Sequence, residues 1–91
     1  MKATTKPVTI ECFKYDGDLM NRNGEYYVPE WAVEAVRNGT IFFKDLGEMY
    51  IKGRDGHIHV NVGDYIVRVV NGELYPCSPD IFEKVYDIVD G

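Results

Sequence analysis

Cysteine is scarce in this chain, and the two cysteines present form no recognisable motif. Cys12 and Cys77 lie far apart, neither belongs to a C-x-x-C pair, and no secretory apolar segment is apparent. Isolated thiols of this kind are usually buried packing residues in a reducing compartment. We therefore expect both thiols to be reduced and unreactive, in a cytoplasmic protein.

Positive charge and long apolar runs are also lacking. Lys and Arg total 10 against 15 Asp and Glu, which makes the formal net charge −5. A surface that neutralises the phosphates of a nucleic acid needs an excess of cations. No apolar run approaches the length needed to cross a bilayer. We therefore expect no direct nucleic-acid binding and no membrane partner.

Catalytic and metal-binding patterns are absent as well. His57 and His59 lie on one face of a predicted strand, about 7 Å apart by the strand rise, but no third ligand follows at a telling spacing. No set of acid, base and nucleophile is visible, and residues 53–56 are typical of a hairpin turn rather than a phosphate-binding loop. The sequence predicts no enzyme activity, no cofactor and no metal.

The composition suits one small domain over residues 1–91, because 45% of the residues are hydrophobic and can form its core. Residues 1–6 are polar and are expected to fray. Residues 7–15 alternate with period two and predict a strand. Residues 16–25 form the longest stretch without a periodic pattern, and a loop of that length has a claim on a binding role.

Residues 28–39 have the pattern of a short helix. Pro29 suits its first position, and Asn38 followed by Gly39 supplies a left-handed stop. The expected buried stripe contains Trp31, Ala32, Ala35 and Val36.

Two strands, within residues 48–52 and 57–61, flank the turn at 53–56 and predict a hairpin. In the second strand, Ile58, Val60 and Val62 are expected to point inward. His57, His59 and Asn61 then point outward.

A second hairpin is predicted within residues 62–77, because Asn71-Gly72 between two β-prone runs is typical of a type I′ turn. A two-residue loop would set Arg68 opposite Tyr75, with both on the outer face. Val67, Val69 and Leu74 would then share the core face. Pro76 places the second strand at a sheet edge.

The chain closes on a helix that Ser78 is expected to cap, with Pro79 at its first position. Its predicted buried stripe is Ile81, Phe82, Val85 and Tyr86. Together these elements predict an α+β domain: a curled antiparallel sheet of five or six strands, arranged as a small barrel-like roll, with two short helices.

The candidate binding site comes from the aromatic inventory. Seven tyrosines are too many for one core of this size, so several rings should be exposed and available to a partner. Arg68 beside Tyr75 suits a planar anion, because the guanidinium and the ring present flat surfaces together. Tyr50, His57 and His59 are expected nearby if the two hairpins adjoin. Ordinary packing of a half-exposed sheet explains the same residues.

Three stretches resemble a family of small uncharacterised proteins of tailed phages and prophages. They are GDYIV at 63–67, NGELYPC at 71–77 and PDIFEKVY at 79–86, and the opening KPVTIECF and the Trp31 helix are similar as well. The family often has a proline where this chain has Val62. The resemblance implies an accessory protein in the bacterial host cytoplasm but brings no functional residues with it.

Two functions agree with that resemblance. The first is a non-catalytic module that binds a host component, either a host protein or a small nucleotide signal, and so counters host defence. The second is a structural or assembly role in the phage particle as a homo-oligomer. A chain of 91 residues with an edge strand has reason to self-associate in either role.

Overall fold

The computed structural model describes residues 1–2, 10–44 and 47–87. Those ranges contain, in chain order, β1 (Glu11–Lys14), α1 (Glu30–Arg37), β2 (Ile41–Phe43), β3 (Met49–Gly53), β4 (Gly56–His59), β5 (Tyr65–Arg68), β6 (Leu74–Cys77) and α2 (Pro79–Val85). The predicted α+β class with two helices is confirmed. Most of residues 1–6, which are predicted to fray, lie outside the described residues. The same is true of residues 7–9 of the strand predicted at 7–15.

The strands form two antiparallel sheets, in the orders β1-β5-β6 and β2-β3-β4. The prediction of a single curled sheet of five or six strands is not confirmed, and the described strands do not close into a barrel. β6 approaches β3 and β4 in space. However, Pro76 within β6 has no N–H to donate, which suits this strand to the predicted edge position.

The core is shared by the two sheets, α1 and the loop after β1. Its buried members are Tyr15, Leu19, Ala35, Ile41, Met49, Ile51, Val60, Ile66 and Leu74. Ile41, Met49, Ile51 and Ile66 are the largest side chains among the described residues that are completely enclosed. Because these residues come from both sheets, each sheet has one face on the common core.

β5 is buried on both faces, which explains its continuous apolar sequence. Ile66 points into the shared core, and Val67, which is 3% exposed, points to the opposite side. On that opposite side the ring of Tyr65 stacks on Phe82 of α2, with centroids 3.9 Å apart and planes 7° apart. The first sheet therefore lies between the shared core and α2.

The register predicted for the second hairpin is wrong by one residue. Val69 N–H donates to the carbonyl of Glu73 and Gly72 N–H donates to that of Val69, which closes a loop of three residues, 70–72. Gly72 has φ +88° and supplies the left-handed residue that such a loop needs. Asn71-Gly72 therefore ends a three-residue loop instead of forming the whole turn.

The one-residue difference exchanges the faces of β6. Arg68 lies opposite Leu74, and Val67 lies opposite Tyr75. Leu74 therefore shares a face with Ile66 rather than with Val67, and the predicted grouping of Val67, Val69 and Leu74 is wrong.

α1 and the β3–β4 hairpin agree with prediction more closely. Ala32 and Ala35 are buried in α1, and Gly39, with φ +85°, follows the helix end. In the hairpin, Gly53 pairs with Gly56 across the turn. Val62 is an exception, because the chain turns after β4 and leaves this side chain exposed instead of inward.

α2 buries a narrower stripe than predicted. Phe82 is buried and Tyr86 is half-buried, but Ile81 and Val85 are 57% and 63% exposed. Ser78 stands at the cap position without a side-chain capping bond. A helix of seven residues that meets β5 through one ring leaves its other apolar side chains in solvent.

The loop predicted at 16–25 is held in place by its own contacts. Leu19 is buried in the core, and Met20 forms an isolated bridge with Tyr26. The hydroxyl of Tyr27 donates a hydrogen bond of 2.7 Å to the carboxylate of Asp16. This bond raises the pKa of Tyr27 to about 12 and lowers that of Asp16.

We expect both cysteines to react slowly with a thiol reagent in the native protein. Cys12 and Cys77 are free and half-buried, and burial raises the pKa of Cys12. A raised pKa reduces the fraction of reactive thiolate. Labelling with an aromatic disulfide reagent should be slow in buffer and rapid in denaturant. Fast native labelling, or a disulfide in non-reducing mass spectra, would contradict this prediction.

Candidate functional site

The predicted pair of Arg68 and Tyr75 is not opposed across the strands. The corrected register gives the two side chains different partners and opposite faces of the first sheet. Arg68 lies 3.3 Å from the carboxylate of Glu11 in the neighbouring strand β1. A planar ligand therefore cannot use this guanidinium and this ring in the way the predicted turn suggested.

Arg68 instead lines a shallow cleft between α1 and the β5–β6 hairpin. Its walls include Trp31 and Glu34 of α1, and its volume is about 200 Å³. The Trp31 ring packs on Phe13 with centroids 5.5 Å apart. Glu11 beside the guanidinium and Glu34 in the wall oppose an anion here, so this cleft is a poor match for the planar anion expected from the sequence.

Tyr75 borders a second cleft, of about 340 Å³, with the β3–β4 turn on its other side. Arg54, Asp55 and His57 are among its lining residues. Glu73 accepts hydrogen bonds from the Tyr75 hydroxyl and from the Arg54 guanidinium, the latter at 2.8 Å. The pKa of Glu73 is lowered mainly by the hydrogen bond from Tyr75 and to a smaller extent by that from Arg54. The same carboxylate raises the pKa of Tyr75.

The remaining predicted site residues, Tyr50, His57 and His59, do come together, on the outer side of the second sheet. Tyr50 in the central strand lies directly opposite Phe42 on one side and His59 on the other. Phe42 and Tyr50 are nearly parallel, with centroids 5.8 Å apart and planes 17° apart. His57 meets Phe42 edge-on at 4.6 Å, and His59 lies 5.1 Å from Tyr50. We call these four residues the aromatic face.

Alternation along the strands explains why the rings point outward. Ile41, Met49 and Ile51, which alternate with Phe42 and Tyr50, are all buried in the shared core. Phe42 and Tyr50 are half-buried, and both histidines are exposed. The sheet therefore carries a core on one side and adjoining aromatic rings on the other.

Charged groups border the aromatic face. The ammonium of Lys44 lies 4.6 Å from the ring centroid of Tyr50 and 5.8 Å from that of Phe42, within cation–π range. Lys52 lies opposite His57. The Glu48 carboxylate accepts a bond of 3.4 Å from the Tyr50 hydroxyl and lies 4.0 Å from Nε2 of His59.

Phe42 and Lys44 are the members of this surface that the sequence did not identify. Residues 40–44 have an apolar pattern that predicts a strand but not its partner. Only the pairing of β2 with β3 places Phe42 beside Tyr50. The alternation of side chains around Ile41 predicts that Phe42 points outward, but it does not predict which residue lies beside Phe42 on the next strand.

The described part of the chain shows no group of three or more His, Cys, Asp and Glu residues arranged to hold a metal ion. None of the helices in the described ranges is long and apolar enough to span a membrane.

Comparison with protein-family models, with curated proteins and with solved structures found no match to this chain. The similarity to phage proteins therefore remains a prediction from the motifs alone.

Proposed function

We propose that this protein is a non-catalytic accessory module of the phage family it resembles, and that it binds a host component in the bacterial cytoplasm and so counters host defence. The observation that carries the proposal is the aromatic face, where Phe42, Tyr50, His57 and His59 adjoin one another in partial exposure. Amphipathic rings on a rigid support give large contact area with little loss of side-chain entropy on binding.

The two thiols in the described part of the chain lack the neighbours that a nucleophile needs. Within the described ranges, neither Cys12 nor Cys77 makes a hydrogen bond that would activate it, and both are half-buried. A nucleophile needs a base within hydrogen-bond reach. The groups that do meet on the surface are ion pairs and ring contacts, which suit binding.

The experiment is a pull-down from lysate of infected host cells, with mass spectrometry of both proteins and co-purifying small molecules. The wild-type chain is compared with Phe42→Ala and with Phe43→Ala. Phe43 follows Phe42 in β2 but has its side chain on the other side of the strand, so it is a matched control. We expect one host component to be retained by wild type and Phe43→Ala and lost by Phe42→Ala.

Recovery of the same components by all three chains would contradict the assignment to the aromatic face. Arg68→Ala and Tyr75→Ala, measured in the same way, test the two clefts that hold the other predicted site residues. Loss of the component with either of these variants, but not with Phe42→Ala, would move the site to that cleft.

The second candidate is an assembly role as a homo-oligomer, which a different observation favours. Ile81 and Val85 lie four residues apart on α2, both are more than half exposed, and together they form an apolar strip on the outer side of the helix. Such a strip is suited to burial against a second copy.

We expect the protein to form a homodimer or larger assembly at micromolar concentration. Light scattering coupled to size exclusion would measure the mass, and Ile81→Glu should shift it toward the monomer by placing a charge in the contact. A monomer mass for the wild type across the micromolar range would exclude self-association. A wild-type assembly that Ile81→Glu leaves intact would place the contact elsewhere.

A further inference from the structure

We propose that the aromatic face is a binding site for a small nucleotide, whose base stacks on the Phe42–Tyr50 pair and whose phosphate is bound by Lys44 and Lys52. This proposal rests on the proposed function, since it names the ligand class of the same surface. It is carried by two independent properties of the face, the arrangement of its rings and the two lysines beside them.

The rings form a platform that matches a base in shape. Phe42 and Tyr50 lie on two hydrogen-bonded strands with their planes 17° apart, so a base that stacks on either ring takes nearly the same orientation. His59 continues the row on the third strand. Antiparallel sheets with outward aromatic rings bind unstacked bases in this way, because every base has a π face.

The platform is also preorganised. Tyr50 is in the central strand β3, which is hydrogen-bonded on both sides, and its neighbours in that strand, Met49 and Ile51, are locked in the core. His57 packs on the Phe42 ring in a T-shaped contact, with centroids 4.6 Å apart. A ligand therefore meets rings that are already positioned, which reduces the entropy lost on binding.

The aromatic face carries cations in a chain that is acidic as a whole. The net charge is −5, yet among the described residues Lys44 lies near the rings of Tyr50 and Phe42, Lys52 lies opposite His57, and the Glu48 carboxylate contacts Tyr50. Lys44 lies over the ring surface that a base would cover, so a bound base displaces its ammonium. The exposed, flexible stem of this lysine then lets the ammonium reach the phosphate beside the base.

Size and charge together favour a small nucleotide over a nucleic acid strand. The platform is three strands wide, which is room for one or two bases. A long polyanion would also meet the acidic residues that give the chain its negative charge. A nucleotide with a few phosphates gains the local attraction of the lysines without that repulsion.

The chain offers a direct spectroscopic probe, because both of its histidines lie on the aromatic face. The imidazole C–H proton resonances should shift saturably when AMP is titrated into the full chain, since a stacked base adds its ring current there. Adenosine should bind more weakly than AMP because it lacks the phosphate. Inorganic phosphate alone should produce no saturable shift of this kind.

Variants assign the effect to individual residues. Phe42→Ala should weaken AMP binding by about 5- to 150-fold, the usual loss for one base–aromatic stack. Lys44→Gln should weaken AMP binding several-fold without weakening adenosine binding, because it removes charge and not ring surface. Phe43→Ala, on the other side of the same strand, should bind like wild type. Thermal unfolding of each variant shows whether the fold is intact, and Lys44→Gln keeps the test decisive if Phe42→Ala unfolds.

Three results would overturn the proposal. The first is the absence of a saturable shift with AMP at millimolar concentration. The second is equal AMP affinity in wild type, Phe42→Ala and Lys44→Gln. The third is a single-stranded hexanucleotide that binds more than tenfold more tightly than AMP, which would assign the face to nucleic acid.

The pull-down separates this proposal from the one on which it rests. If AMP does not bind, but a host protein is retained by wild type and lost by Phe42→Ala, the aromatic face binds a protein and only the nucleotide proposal is wrong. If no host component depends on the aromatic face, the proposed function itself is wrong at this surface.

Discussion

Replacing Phe82 with alanine is expected to lower the free energy of unfolding by about 3–5 kcal/mol, the usual loss for a buried aromatic ring. Phe82 is the buried side chain of α2, and its ring is stacked on Tyr65 and tilted against Tyr86. Removing it takes away the main contact of the helix with β5. The loss is a large share of the stability of a small domain, which is about 5–15 kcal/mol.

Urea denaturation followed by far-ultraviolet circular dichroism would measure the change. Glu83→Ala is the matched control, because Glu83 follows Phe82 in the same helix but is exposed. We expect the control to change the free energy of unfolding by about 0.5 kcal/mol or less. Similar unfolding midpoints for Phe82→Ala and Glu83→Ala would mean that α2 is not docked on β5 through this ring.

Leu74→Ala should reduce the free energy of unfolding by about 2–5 kcal/mol, through lost transfer energy and the cavity left behind. Leu74 is buried in the shared core beside the first strand of its hairpin. Its neighbours come from both sheets and α1, so the site has little freedom to collapse around a smaller side chain.

The control for Leu74→Ala is Val70→Ala in the loop of the same hairpin, where the side chain is 86% exposed. Guanidinium unfolding of the two variants should give well-separated midpoints at the same m value. If Val70→Ala proved the more damaging change, Leu74 would not lie in the shared core and the register described for β6 would be wrong.

Features that depend on local chemistry could be predicted from the sequence. Gly39 ends α1 with a positive φ, as the Asn-Gly pair indicated. The turn between Gly53 and Gly56 joins two strands with the expected pairing. In each case a few neighbouring residues determine the conformation, so the pattern is sufficient.

The register of the β5–β6 hairpin could not be read from the same kind of signal. Asn71-Gly72 suits both a two-residue turn and the end of a three-residue loop, because both need a left-handed glycine at that place. The choice is made by which face of β6 enters the core. Leu74 enters it when the loop has three residues, and burial of this side chain in the core outweighs the local turn preference.

The candidate site was half predictable for a related reason. The outward orientation of His57 and His59 follows from period-two alternation within one strand, and the structure shows both exposed. Their neighbour Phe42 belongs to a strand whose pairing depends on the whole fold. The mistaken pairing of Arg68 with Tyr75 follows directly from the error in the predicted register.

The three-residue loop at 70–72 has a consequence for how this chain tolerates changes in length. Deleting Val70 would leave Asn71-Gly72 as a complete two-residue turn, which is itself a favourable hairpin connection. That deletion would leave Val69 opposite Glu73, so β6 would keep its register, with Leu74 in the core and Tyr75 across from Val67. Among homologous chains, a single-residue gap in this loop would thus be compatible with the same β6 surface, whereas a gap inside either strand would exchange its faces.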